Sequence, residues 1–86
     1  MTQDHVRTFL IQRFRDKLTA SGVDLAAIPA DFDLYQEGII DSFGMLEMII
    51  ALEHNFGTRL DYMNMDPGDL TNIDKLAGHV VASCSS

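Results

Sequence analysis

The sequence predicts an all-α fold: a small bundle of three main helices and one short helix, with a long loop between the first and the second. Three observations carry this expectation. Apolar residues recur at helical spacing in three separate segments. Cap and stop residues stand at the ends of those segments. The chain has 86 residues, enough for one small domain spanning 1–86. A core of that size is marginal, so well-formed helices and tight packing have to hold it.

The first helix is expected over 3–20. Val6, Phe9, Leu10, Phe14 and Leu18 fall on one face, as in a helix with one side buried. Ser21-Gly22 ends it. Four of the six basic residues, Arg7, Arg13, Arg15 and Lys17, lie in this segment. Residues 21–41 form the long connection. It is too apolar to be a floppy linker: Val23, Leu25, Ile28, Phe32, Leu34, Ile39 and Ile40 are expected to cover an open end of the bundle. A loop of this length in a compact domain is usually functional or locally ordered.

The second helix is expected over 42–56, with Asp41 or Ser42 as its N-cap and Gly57 as its stop. At about 100° per residue, Met48, Leu52, Met45, Phe56, Ile49, Leu46, Ile50 and Phe43 cover an arc of roughly 220°, far wider than the stripe of a one-sided surface helix. Glu53 falls inside the arc, and Glu47 and His54 lie at its edge. Two readings follow. Either the helix is central and buried on two sides, or one side packs into the bundle while Phe43, Leu46 and Ile50, bordered by Glu47 and Glu53, stay at the surface for a partner.

Residues 58–70 read as a loop with one short helical turn, broken near Pro67-Gly68. The last helix opens with Thr71-Asn72-Ile73-Asp74, a Thr-x-x-Asp variant of the capping box. Ile73, Leu76, Ala77 and Val80 form its apolar face, with Val81 beside it. The tail Ser83-Cys84-Ser85-Ser86 is expected to fray.

Composition narrows the function. Six basic residues against thirteen acidic ones give a net charge of −7. Nucleic acid needs a Lys/Arg footprint that this chain lacks, and anionic lipid is disfavoured for the same reason. An acidic surface attracts basic partners. The five Met residues suit both a core and a surface that meets several partners. The single Cys84 forms no internal disulfide and implies no oxidising compartment. Met1–His5 does not open a signal peptide, and no apolar run is long enough to span a bilayer. The expectation is a soluble, cytoplasmic, monomeric domain.

Catalysis by the chain itself is not expected, and no catalytic residue is assigned. His5, His54 and His79 belong to three different helices and show no metal-ligand spacing with each other or with Cys84. There is no Gly-x-Ser-x-Gly elbow, and the domain is too small to enclose a substrate pocket. Asp61, Asn64, Asp66 and Asp69 miss the spacing of a calcium loop, so no metal site is expected. What remains is Asp41-Ser42. Such a pair is ordinarily a helix cap. If Asp41 caps, however, Ser42 takes the first helical position with its hydroxyl free and facing outward. A phosphate placed there would face unpaired N–H groups and the positive end of the helix dipole.

The run from Leu34 to Gly57 resembles the acyl carrier protein family. The likeness covers Gly38-x-x-Asp41-Ser42-Phe43, the helix behind it and the Glu53-x-x-Phe56-Gly57 ending, and extends more weakly to about Val80. The resemblance implies a four-helix carrier fold and a 4'-phosphopantetheine arm. A phosphopantetheinyl transferase would move the arm from coenzyme A onto Ser42, with Asp41 positioning the reaction. It implies an acyl or aminoacyl thioester on the arm's thiol, and no chemistry by the carrier itself. Partner enzymes would present basic patches to Glu47 and Glu53 around Phe43, Leu46 and Ile50. Asp41-Ser42-Phe43-Gly44 is similar to the D-alanyl carrier proteins and related stand-alone carriers that serve adenylating ligases. Many fatty-acid carriers instead have Leu and a carboxylate at positions 43 and 44. The alternative is a non-enzymatic helical interaction module that keeps the carrier fold but is not modified. The intact Asp41-Ser42 pair argues against it.

Overall fold

The structure, a computed structural model, describes residues 2–84, so Ser85 and Ser86 of the expected frayed tail lie outside it. Five helices follow one another: α1 (Gln3–Arg13), α2 (Arg15–Ala20), α3 (Ser42–Phe56), α4 (Pro67–Thr71) and α5 (Ile73–Cys84). A single 3-10 turn, Tyr62–Asn64, precedes α4. Three helices are long and two are short, so the all-α bundle expected from the sequence is the one observed.

The first expected helix is interrupted at Phe14, whose dihedrals (φ −105°, ψ 14°) leave the helical region. The hydrogen-bond ladder nevertheless runs across the interruption. Phe14 N–H donates to the Leu10 carbonyl at 3.1 Å, and Leu18 N–H donates to the Phe14 carbonyl at 2.8 Å. α1 and α2 are thus one bent rod, and Val6, Leu10, Phe14 and Leu18 all remain buried along it. Its N-terminus is closed by Thr2 and His5, which bond each other's backbone N–H groups reciprocally at 3.4 Å.

Two boundaries differ from the sequence expectation. Pro67-Gly68 does not break a helical turn; Pro67 begins α4, where its missing N–H costs nothing. Thr71 does not cap the last helix. It ends α4 as a buried residue, and the Asn72 side-chain oxygen accepts Lys75 N–H at 3.1 Å as the cap of α5. Asn has the stronger cap preference of the two, and the Thr71 backbone is already engaged with the long loop.

α1 packs on α5, and the apolar residues of both helices join α3 in one core that includes Leu10, Ile49, Leu52, Ile73, Leu76 and Val80. The edge-on pair Phe9–Phe56, with ring centroids 5.4 Å apart, ties α1 to the C-terminal end of α3. The long loop covers the bundle as expected. Ile28, Phe32, Leu34, Ile39 and Ile40 are buried, and Val23 and Leu25 pack partly against them. Arg7 fastens this loop from α1. Its guanidinium donates to Asp74 of α5 and to the Ile28 carbonyl, each at 2.6 Å.

Arg7→Ala removes the donor that satisfies the Ile28 carbonyl and unpairs Asp74. Urea unfolding of the variant is expected to show a loss of about 1–3 kcal/mol.

Candidate functional site

Ser42 owes its place to a short, tightly bonded approach. Asp33 opens a turn by accepting the N–H groups of Tyr35 and Gln36 on one carboxylate oxygen, each at 3.0 Å. Glu37 N–H returns to the Asp33 carbonyl and Gly38 N–H to the Tyr35 carbonyl. Gly38 reverses the chain at φ 76°, a left-handed conformation that costs a side-chain-bearing residue strain. Ile39 and Ile40 then drop into the core, and both of their N–H groups donate to the Leu34 carbonyl. With those two side chains buried, the next residue has little freedom.

That residue, Asp41, is the N-cap. Its backbone is extended, its carboxylate accepts Gly44 N–H at 2.7 Å, and its carbonyl accepts Met45 N–H at 2.9 Å. Ser42 is therefore the first residue of a 15-residue helix and is exposed, as required if its hydroxyl is to be free. The opening N–H groups of a helix lack partners within it, and together with the helix dipole they favour an anion at this end. Gly44 fits under the cap. A Cβ there would lie 3.3 Å from both Asp41 Oδ1 and Ile40 Cβ, tighter than ordinary contact. This is a local reason for glycine at position 44, where many fatty-acid carriers hold a carboxylate.

A cleft of about 360 Å³ opens beside Ser42. Ser42 and Met45 of α3 form one side, Pro67, Gly68 and Thr71 of α4 the other, and Asp33, Tyr35 and Gln36 the end.

α3 resolves the two readings of its wide apolar arc. Met48, Ile49 and Leu52 are buried, and Met45 and Phe56 are half-buried. Phe43, Leu46 and Ile50 are 70%, 46% and 64% exposed. The helix is thus two-faced, and the apolar face outside the core carries the exposed Glu47 beside it. Glu53 stands apart from the residues grouped with it. It is half-buried, and its carboxylate accepts Leu60 N–H at 2.9 Å, holding the chain where it leaves α3. Sequence reasoning did not single out Met63, which is 84% exposed on the 3-10 turn; a lone Met in a loop has no periodicity to reveal its side.

No family model matches the chain, and no solved structure matches it. Curated relatives do. A D-alanyl carrier protein of Lactococcus lactis subspecies lactis is 37% identical over 62 residues, covering 72% of this chain and 78% of the relative. A D-alanyl carrier protein of Lactococcus lactis subspecies cremoris shows the same identity and coverage. One from Bacillus velezensis is 36% identical over 36 residues, covering 42% of this chain and 46% of the relative. The chain belongs to the stand-alone carrier protein family. Members of that family are not enzymes themselves, so this carrier works through the enzymes it meets. No helix among the described residues of the carrier is long and apolar enough to cross a membrane.

The two faces of α3 make opposite demands on stability. Ile49→Ala, which empties a core position, is expected to cost about 2–5 kcal/mol in urea unfolding. Ile50→Ala, its exposed neighbour, is expected to stay within about 0.5 kcal/mol of wild type. Comparable losses in both variants would mean that α3 is buried on two sides.

Proposed function

We propose that the protein carries an acyl or aminoacyl group as a thioester on a phosphopantetheine arm attached to Ser42, and hands that group to partner enzymes. The observation that supports this most directly is the exposed Ser42 at the first position of α3, beside the Asp41 cap and lining a cleft.

The residues present suit the arm. Ser42 Oγ would hold it through a phosphodiester, next to the N–H groups and positive dipole end of α3. Attachment joins Ser42 Oγ to a phosphorus of coenzyme A, and the adenosine bisphosphate portion leaves; the transferase supplies that chemistry. Asp41, fixed by its bond to Gly44 N–H, keeps one carboxylate edge available to position the transferase's metal ion. When attached, the arm supplies a thiol for thioester formation, and tethering raises the effective concentration of the cargo at each partner.

Phe43, Leu46, Glu47 and Ile50 form the docking face for the transferase and for an adenylating ligase or acyltransferase. Glu53 supports that face through its bond to Leu60 rather than standing free on it. The relatives, named as D-alanyl carriers, favour an aminoacyl cargo loaded by an adenylating ligase. Loading of this kind draws on coenzyme A and ATP, which supports a cytoplasmic setting for the carrier.

Incubation with a broad-specificity phosphopantetheinyl transferase and coenzyme A is expected to raise the intact mass by one phosphopantetheine. Ser42→Ala is expected to abolish the gain. A wild-type chain that stays unmodified would leave the unmodified interaction module as the better account.

Leu46→Glu or Ile50→Glu is expected to lower the transferase's kcat/KM by about tenfold or more, since each buries a carboxylate in the apolar contact. Unchanged kcat/KM in both variants would remove the docking role from this face.

A further inference from the structure

The wall of the Ser42 cleft opposite α3 is α4, a helix of only five residues. A helix that short has no stability of its own, so its position is set by whatever holds it. Leu70 and Thr71 anchor it from inside, and the Thr71 carbonyl accepts Leu34 N–H at 2.9 Å. Asp69 holds it from another side. Lys75 Nζ lies 3.6 Å from Asp69 Oδ1, and His79 Nε2 lies 3.2 Å from Asp69 Oδ2. Lys75 and His79 are one helical turn apart on α5, so both reach the same carboxylate. The Asp69 side chain is 24% exposed, whereas those of Lys75 and His79 are 63% and 41% exposed, so solvent screens these contacts in part and each is a modest one.

The residues that line the cleft bracket Asp69 in sequence. Pro67 and Gly68 precede it and Thr71 follows it. Any shift of Asp69 relative to α5 therefore moves the cleft wall. We propose that Asp69 is a positioning residue for the Ser42 site: its contacts with Lys75 and His79 latch α4 to α5 and so set the width of the cleft. It acts through α4 and touches neither Ser42 nor the group attached there. The link to Ser42 rests on the reading of that residue as the attachment point.

The test uses the full chain with and without the arm, the arm being added by a broad-specificity transferase and coenzyme A and verified by mass. Asp69→Ala removes the shared acceptor and breaks the latch from α4. The double variant Lys75→Met with His79→Phe removes both donors, breaks it from α5 and leaves α4 unchanged. The first readout is amide exchange at Asn72, whose N–H donates to the Gly68 carbonyl at 3.2 Å across α4. The second is the change in the amide NMR signals of Met45 and Gly68 when the arm is attached. Both variants are expected to exchange about fivefold faster at Asn72, with exchange in the middle of α3 unchanged. In both, the arm-dependent signal changes at Met45 and Gly68 are expected to shrink. Wild-type exchange at Asn72 with an unaltered signal pattern overturns the latch. So does exchange that rises evenly through α3 and α5, which would make Asp69 an ordinary stability contact. A wild-type chain that takes no arm overturns the attachment reading instead, and the mass alone tells that case apart.

Discussion

Leu34 N–H donates to the Thr71 carbonyl at 2.9 Å, and Ile73 N–H donates to the Phe32 carbonyl at 3.0 Å. These two bonds flank an antiparallel bridge between Asp33 and Asn72. They join the middle of the long loop to the α4–α5 junction, and the side chains around them, Phe32, Leu34, Thr71 and Ile73, are all buried. Buried backbone groups have to find partners. Each of these two irregular segments supplies what the other lacks. Asn72 adds a side-chain bond to the Asp31 carbonyl at 3.2 Å. The carbonyl of Leu34 then receives Ile39 and Ile40 N–H and turns the chain into α3. Both walls of the Ser42 cleft thus hang from one small patch of backbone pairing. Without it, Ser42 would still begin a helix, but α4 would have no defined place opposite it.

The division of labour along α3 follows from the same economy. One face, through Met48, Ile49 and Leu52, contributes to the core. The exposed Phe43, Leu46 and Ile50 add nothing comparable to folding. Single exposed apolar residues are ordinary on protein surfaces. Three on one helix face, close behind the exposed Ser42 and bordered by Glu47, suit a contact that forms and breaks repeatedly. A carrier has to leave each enzyme in order to reach the next, so a small apolar centre with a charged margin is more useful than a large interface. The net charge of −7 acts at longer range. It speeds encounter with basic surfaces without adding much to the lifetime of the complex.

What the sequence by itself determined about this protein is what depends on residues close together in the chain. The start and stop of α3 were legible because Asp41 and Gly57 act within a turn of the helix they bound. The apolar faces of α1 and α5 were legible because helical spacing is local. The exposed position of Ser42 at the start of that helix was legible for the same reason, since the Gly38-x-x-Asp41-Ser42 turn, the cap and the helix behind it are contiguous. Where two local solutions competed, proximity was not enough. Thr71 and Asn72 are both able to cap, and the choice fell to Asn72 because the Thr71 backbone was taken up by Leu34, far away in sequence. Only the tertiary structure decided that Glu53 bonds Leu60, that Asp69 meets Lys75 and His79, and which side of the wide arc on α3 faces water. Helical periodicity orders residues around an axis, but the direction of the core is set by the other helices, and that information resides in no single segment.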